Sequence, residues 1–222
     1  MKRSEINAVI KDFEALAAKY RFALPPFCAF EPDSWNNLGA DYDEIRENML
    51  GWDVTDYGGG DFRALGLSLV TIRNGNLNNP KYPKTYAEKL IMSYDNQLSP
   101  MHYHYKKMED IINRGGGDLM IKLYNSTPDG AFADTDVEVS SDGRRLRLPA
   151  GHVLRLAPGQ SVTLQPGLYH EWRAEGGSCL IGEVSQINDD NTDNRFYKPL
   201  ARFSGIEEDE RPYRLLCNEY PR

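Results

Sequence analysis

The stretch Met101-His-Tyr-His-Tyr-Lys-Lys-Met-Glu-Asp-Ile-Ile-Asn-Arg-Gly-Gly-Gly117 carries two of the four histidines in the chain. His102 and His104 are two residues apart at the start of a strand-like segment, where alternate side chains point to the same face. Glu109 follows across a short turn, and His170 begins a later strand directly after another turn. Three neutral imidazoles and one carboxylate are a suitable ligand set for a divalent first-row metal. Such a set leaves positions open for substrate or water.

The alternative for each histidine is a structural role, because a lone histidine in a strand is commonly exposed or hydrogen-bonded in the core. We interpret His152 in this way, since it has no partner at motif spacing. The pair His102 and His104 with the spaced Glu109 is far less frequent by chance, so these three residues are predicted metal ligands. His170 alone is equally compatible with either role.

The composition describes a single globular protein and excludes several functions. With 222 residues and 40% hydrophobic residues the chain can form one large domain with a packed core. A net charge of −7 argues against a nucleic-acid partner, which requires clustered cations. The sequence contains no apolar run of about 18 residues, so we expect no membrane span. Three scattered cysteines are expected to be reduced thiols of a soluble, cytoplasmic protein.

The order of patterns along the chain predicts an all-β fold with appended helices. Apolar residues at helical spacing predict a helix within residues 1–20, with Ser4 as its N-cap, and a second helical stretch over 34–50. From residue 61 onward, short apolar runs alternate with turn signals, which is typical of a sandwich or barrel. We therefore expect one structural domain: a helical segment, 1–60, packed on a barrel with a C-terminal extension, 61–222.

Two motifs resemble those of the cupins. His102-x-His104-x-x-x-x-Glu109, with Gly116 seven residues later, resembles the first cupin motif, and Gly159 with Gly167-x-x-His170 resembles the second. A glycine that usually precedes the first histidine by six residues is replaced by Asn96. Asparagine can also adopt the left-handed conformation that such a glycine would have. The resemblance implies a jelly-roll β-barrel.

A closer resemblance, to the D-lyxose isomerases, extends over nearly the whole chain. The segments that carry it are Met101–Gly117, Pro166–Trp172 and Glu183–Phe196. It implies one Mn²⁺, or another divalent first-row metal, held by the four residues His102, His104, Glu109 and His170. It also implies interconversion of D-lyxose with D-xylulose, often with D-mannose and D-fructose as secondary substrates. Family members are usually homodimers.

Aldose–ketose isomerisation moves a proton between C1 and C2 of an open-chain sugar through a cis-enediol, so a proton carrier is required. Lys107 lies between two predicted ligands and could polarise a sugar oxygen, or shuttle a proton once desolvation lowers its pKa. Its alternative is a solvated lysine paired with Asp110. Glu183 is expected in a strand that pairs with the strand of His170. It is a candidate general base if it faces the barrel interior, and a surface residue if it faces outward.

The polar loop 188–195 is expected at the mouth of the barrel, where ligand contacts are frequent. Within it, Asp189 could accept hydrogen bonds from sugar hydroxyls and Arg195 could donate them. Lys89, in the strand before the first motif, is a further candidate for substrate binding. An Asp- and Asn-rich loop is equally typical of a solvated turn.

Two rival functions remain open at this point. A cupin dioxygenase would use Fe²⁺ and O₂ with a similar ligand set. A non-catalytic sugar-binding or seed-storage-type cupin would bind without conversion. Oxygen dependence distinguishes the first rival from an isomerase, and ketose formation distinguishes the second.

Overall fold

A computed structural model describes residues 1–221. Within these residues the chain forms two α-helices, three short 3₁₀ turns and eleven β-strands. The helices are α1 (Arg3–Lys19) and α2 (Asp43–Glu47), and the 3₁₀ turns are Pro26–Ala29, Pro32–Asn37 and Ala40–Tyr42. The strands are β1 (Gly51–Thr55), β2 (Leu67–Arg73), β3 (Tyr86–Ser93), β4 (Ser99–His104), β5 (Glu109–Asn125), β6 (Val137–Ser141), β7 (Arg144–Leu148), β8 (Val153–Leu156), β9 (Ser161–Leu164), β10 (Leu168–Gln186) and β11 (Asn194–Phe196).

The named strands form one sheet in which every pairing is antiparallel. The main path through it is β1-β2-β3-β10-β5-β9-β6-β7, with β4 paired to β10 and β11, and β8 paired to β5. The prediction of a mostly β protein with few helices is confirmed. Neither helix within residues 1–221 is long and apolar enough to cross a membrane.

Helix α1 covers the outer face of β1–β3 with an apolar stripe. Ile6, Ile10 and Phe13, spaced at three and four residues, are fully buried in a cluster with Trp52. The Phe13 and Trp52 rings meet edge to face with centroids 5.2 Å apart. Each such side chain contributes about 1.5–3 kcal/mol when buried, so packing, more than intrinsic propensity, holds the helix.

The predicted N-cap is wrong. The helix begins at Arg3, so that Lys2, two residues before Ser4, is the N-cap residue, and its side chain makes no capping hydrogen bond. Ser4 lies inside the first turn, and its amide donates to Asp209 Oδ1 at 2.9 Å. A carboxylate from the far end of the chain therefore supplies the acceptor that a local cap would provide. Sequence spacing alone does not contain this long-range contact.

The predicted second helix is largely absent, since only Asp43–Glu47 is α-helical within 34–50. Gly39 is extended, and the Arg46 guanidinium donates to the carbonyls of Leu38 at 2.8 Å and Gly39 at 3.2 Å. The Arg46 guanidinium thus replaces the backbone amides that would bind these carbonyls in an α-helix. The segment can therefore remain as separate 3₁₀ turns.

The sheet also begins earlier than predicted, at Gly51 instead of after residue 60. All five residues of β1 are buried, and its alternation of Trp52 and Val54 with Asp53 and Thr55 is a strand signal that the assignment of residues 1–60 to a helical segment overlooked. Asn96 fulfils the expectation for its position, with a φ of 61° and its amide donating to the Ala174 carbonyl at 2.8 Å.

The pairing of β5 with β10 forms a long ribbon whose two ends meet. Glu109 pairs with Ser185 at one end, and His170 pairs with Leu123 at the other. The fifteen residues from His170 to Ser185 would span about 50 Å in a straight strand. Yet Glu109 Oε1 lies 3.2 Å from His170 Nε2. The ribbon must therefore fold back on itself between these positions.

Glycines occupy the corner where the ribbon folds. The register of β10 against β5 shifts between Glu175 and Cys179, opposite the run Gly115–Gly117. Gly116 has a φ of 111°, and a Cβ added there would lie 2.1 Å from the Ser178 carbonyl oxygen. Only a residue without a side chain allows the two backbones to approach so closely.

We expect Gly116→Ala to destabilise the protein by several kcal/mol, because it adds a backbone clash to the strain of a positive φ. Gly176→Ala is the matched control at the same corner. Its φ is 83°, but no heavy atom of residues 1–221 would lie within 4 Å of the new Cβ. We expect it to cost only about 1–2 kcal/mol. Urea unfolding of both variants measures the difference, and equal losses would contradict the close-approach argument.

Candidate active site

Three strands bring the predicted ligands together at one end of the folded ribbon. His102 and His104 lie on β4, and His102 pairs with His170 on β10. Glu109 is the first residue of β5. All four side chains are buried, with exposed fractions of 8% or less. The period-two placement of the H-x-H pair thus directs both imidazoles inward, as the sequence predicts.

The donor atoms of these residues converge on one point. His170 Nε2 lies 3.1 Å from His102 Nε2 and 3.2 Å from Glu109 Oε1, which is 3.3 Å from His104 Nε2. Adjacent ligands about 2.1 Å from one ion lie about 3.0–3.4 Å apart, so this spacing fits a first-row metal. Among residues 1–221, Glu109 Oε1 has no hydrogen-bond partner. An unpartnered buried carboxylate oxygen facing imidazole nitrogens also fits a metal ligand.

The orientation of two rings is fixed by the backbone. His102 Nδ1 lies 2.8 Å from the Pro100 carbonyl, and His170 Nδ1 lies 3.0 Å from the Leu168 carbonyl. Nδ1 therefore carries the proton in each ring, which leaves the Nε2 lone pair free to bind a metal.

Burial and neighbouring groups keep the imidazoles of His102 and His104 neutral. Burial, with the adjacent His170 and His104 rings, holds the pKa of His102 well below its usual range. Burial and the Lys107 ammonium lower the pKa of His104. Burial acts to raise the pKa of Glu109, but Lys107 and His104 outweigh it and the pKa is well below its ordinary value. The neutral imidazoles and the ionised carboxylate are the protonation states that ligation requires.

Lys107 connects this centre to Glu183. Its Nζ lies 2.7 Å from Glu109 Oε2 and 2.7 Å from Glu183 Oε1, and all three side chains are buried. Glu183 faces inward, into the same pocket as the histidines, and is not a surface residue of β10. Lys89 lies on the neighbouring strand β3, directly opposite Glu183 in the register. Its Nζ is 3.4 Å from Glu183 Oε1.

The expected lowering of the Lys107 pKa by desolvation is wrong. Burial does act in that direction, but the carboxylates of Glu109 and Glu183 outweigh it and raise the pKa of Lys107 above its ordinary value. Lys107 is accordingly a fixed ammonium that donates hydrogen bonds. Its alternative as a solvated lysine does not apply, since the side chain is 2% exposed.

The structure does not bring Asp189 and Arg195 into the pocket. The Asp189 carboxylate accepts hydrogen bonds from its own loop, from the amides of Asn191 and Thr192. The Arg195 guanidinium donates to the Tyr169 hydroxyl and the Asp129 carbonyl, both at 3.3 Å. These groups are engaged outside the cluster of histidines.

Two residues that the sequence analysis did not select line the pocket instead, Asp190 and Arg202. Arg202 Nη2 contacts Asp53 Oδ2 at 2.5 Å and Asp190 Oδ2 at 3.2 Å. Among residues 1–221, the buried Arg202 Nη1 has no hydrogen-bond partner. The opposite wall is apolar and is formed by Leu67, Leu69, Ile91, Trp172 and Phe196.

Asp193 is a further residue without a sequence signal. Its carboxylate accepts from the backbone amides of Lys106 at 2.8 Å and Lys107 at 3.0 Å. Strand β11 begins at the next residue and pairs with β4. Asp193 therefore fixes the turn that carries Lys107, through a contact between segments 86 residues apart.

The fold matches those of solved L-ribose isomerases. The L-ribose isomerase of Acinetobacter sp. DL28, solved with L-ribose, matches the fold with a TM-score of 0.63 at 14% identity, over 93% of this chain and 98% of that chain. The ligand-free L-ribose isomerase of Cellulomonas parahominis matches with a TM-score of 0.59, at 14% identity and the same coverage. At such identities the likeness concerns the fold alone.

The D-lyxose isomerase family model matches residues 1–220, and the chain belongs to this family. A D-lyxose/D-mannose isomerase of Serratia proteamaculans is 47% identical over 225 residues, covering 100% of this chain and 99% of the relative. One of Escherichia coli O157:H7 is 47% identical over 223 residues, with 99% and 98% coverage. The family resemblance of the sequence is confirmed, and the chain is an aldose–ketose sugar isomerase.

We expect His170→Ala to lower the affinity for Mn²⁺ by more than about 100-fold, because it removes one donor from the converging set. His152→Ala is the matched control, since His152 is the fourth histidine of the chain and is exposed. Metal content after dialysis, measured by mass spectrometry with circular dichroism as a check of folding, tests the assignment. Equal metal content in the two variants would exclude His170 from the ligand set.

Proposed function

We propose that this isomerase interconverts D-lyxose with D-xylulose, and D-mannose with D-fructose, and that it depends on a divalent metal. The observation that carries the proposal is the convergence of three imidazole nitrogens and a carboxylate oxygen beside the buried pair Lys107 and Glu183. The proposed substrates are supported by relatives at 47% identity that are named D-lyxose/D-mannose isomerases.

In this proposal His102, His104, Glu109 and His170 hold Mn²⁺, with other divalent first-row metals as alternatives. When bound, the ion polarises the sugar oxygens at C1 and C2 and stabilises the negative charge that develops between them. The neutral imidazoles and the single carboxylate suit such a hard-to-borderline ion.

The chain's own residues move the proton. Glu183 removes the proton from C2 of the aldose and returns it to C1, while the hydroxyl proton passes from O2 to O1 through the cis-enediol between the two steps. Lys107 remains charged and donates to a sugar oxygen, while it holds Glu183 in place through the 2.7 Å contact. The apolar wall around Trp172 and Phe196 excludes water from the reacting carbons.

For the remaining hydroxyls we propose Lys89, Asp190 and Arg202 as binding residues. The unpartnered Nη1 of Arg202 and the Asp190 carboxylate occupy the roles that Arg195 and Asp189 were expected to fill. Asp190 is the neighbour of Asp189 in the loop, and it offers the same carboxylate as an acceptor for sugar hydroxyls. Asp190 lies in the loop 188–195, and Arg202 carries the same charge as Arg195. Both points support this assignment.

We further propose that the sheet is a cupin-type jelly roll and that the protein acts as a homodimer. The antiparallel pairing throughout and the motif glycine at Gly116 support the first point. The single-domain organisation, with residues 1–50 packed on the sheet that begins at Gly51, belongs to the same proposal. A molar mass near twice 25.2 kDa in light scattering is the expected result for the dimer.

We expect Glu183→Gln to lower kcat by about 10²–10⁴-fold on D-lyxose with Mn²⁺ present, because the amide cannot accept the C2 proton. Wild-type enzyme in D₂O should form D-xylulose that carries deuterium at C1. Mass spectrometry and NMR of the product measure this exchange. A fully protonated product together with an undiminished kcat in Glu183→Gln would indicate hydride shift and remove Glu183 as the base.

The same assay separates the rival functions. Turnover should persist in anaerobic buffer with Mn²⁺, since no oxygen is consumed in isomerisation. Loss of turnover without O₂ would favour a dioxygenase. Sugar binding without ketose formation in the metal-loaded protein would favour a non-catalytic binding protein.

A further inference from the structure

Two buried lysines share two acceptor oxygens beside the metal centre. Lys107 Nζ lies 2.7 Å from Glu183 Oε1 and 3.3 Å from Asn188 Oδ1. Lys89 Nζ has the opposite preference, at 2.6 Å from Asn188 Oδ1 and 3.4 Å from Glu183 Oε1. Each acceptor thus has one close and one distant ammonium.

The preference of Lys89 for Asn188 is electrostatically unexpected. An ammonium in a buried site is attracted more strongly by a carboxylate than by a neutral amide oxygen. Glu183 is within reach, yet Lys89 donates to the amide at the shorter distance. Other contacts must therefore hold Asn188 Oδ1 in the position where it accepts from Lys89 in place of Glu183.

The position of Asn188 is set from outside the lysine cluster. Its backbone amide donates to Asn74 Oδ1 at 3.0 Å, and Asn74 Nδ2 donates back to the Asn188 carbonyl at 3.0 Å. Asn188 Nδ2 donates to Asp190 Oδ2 at 2.9 Å. With its amide nitrogen thus engaged, the side chain presents Oδ1 to the two lysines. Asn74 follows β2, is 5% exposed, and acts as the anchor of this arrangement.

We propose that Asn188 is a positioning residue that keeps Lys89 from closing on Glu183, so that a lone pair of Glu183 Oε1 stays open to accept the sugar proton. This inference rests on the proposed role of Glu183 as the base. Glu183 Oε1 already accepts from Lys107 at 2.7 Å, and a second short contact from Lys89 would occupy the remaining lone pair of that oxygen. Asn188 prevents this by offering Lys89 a neutral acceptor at 2.6 Å.

The test is a double-mutant cycle on the Mn²⁺-loaded enzyme with saturating D-lyxose. Asn188→Ala should lower kcat about tenfold in the wild-type background, because Lys89 then closes on Glu183 and obstructs proton transfer to its Oε1. In a Lys89→Met background, where the side chain has no charge to move, Asn188→Ala should change kcat less than about twofold. Equal fold losses in the two backgrounds would overturn the proposal, because a merely structural role of Asn188 does not depend on Lys89.

The anchor provides a second variant that leaves the pocket untouched. Asn74→Ala should reproduce the loss of kcat at smaller size, and again only when Lys89 is present. Asn76→Ala is its matched control, because Asn76 lies in the same connection but donates to Glu47 and Asn48. We expect it to leave kcat unchanged. A Lys89-independent loss in Asn74→Ala would argue against the proposal even if Asn188→Ala did not fold.

Glu183→Gln separates this proposal from the one on which it rests. A Glu183→Gln enzyme with wild-type kcat would overturn both the base and the role of Asn188. An inactive Glu183→Gln enzyme, combined with equal losses in the double-mutant cycle, would overturn only the role of Asn188.

Discussion

The site depends on one geometric constraint, the fold-back of the β5–β10 ribbon at its glycine corner. Glu109 and His170 are at opposite ends of this ribbon and yet lie 3.2 Å apart. The close approach of Gly116 to the backbone of β10 permits the corner. Because Glu183 and His170 lie on the same strand, the corner also sets the relation of the proposed base to the metal ligands. The path of the backbone, and not the flexibility of side chains, brings Glu109, His170 and Glu183 together.

The sequence predicted the ligand cluster well, for a physical reason. Side chains of a strand alternate with a period of two, so His102 and His104 share a face wherever that strand lies. The direction of Glu183 stayed open, because the register of β10 shifts between His170 and Glu183 and breaks the period-two relation between them. On a regular strand the spacing of two residues decides whether their side chains point to the same face. The direction of each side chain is therefore predictable once the buried face is known.

The loop residues and the helix boundaries were less predictable, because their partners are distant in the sequence. Periodicity does not distinguish Asp189 from Asp190 in an irregular loop, where hydrogen bonds decide the direction of each side chain. Strand β1 does alternate apolar and polar residues, but with five residues its signal is short beside the helical spacing that precedes it. The charge state of Lys107 depends on two carboxylates, one of which is 76 residues away. Local spacing carries none of this information.

The attachment of helix α1 has a consequence for how the chain folds during synthesis. The Arg3 side chain is 1% exposed and pairs with Glu208 and Glu219. Both carboxylates leave the ribosome more than 200 residues after Arg3. Until they emerge, the guanidinium has no partner for burial and must stay in water. The first helix to be made therefore cannot complete its final contacts until the last residues of the chain have been synthesised.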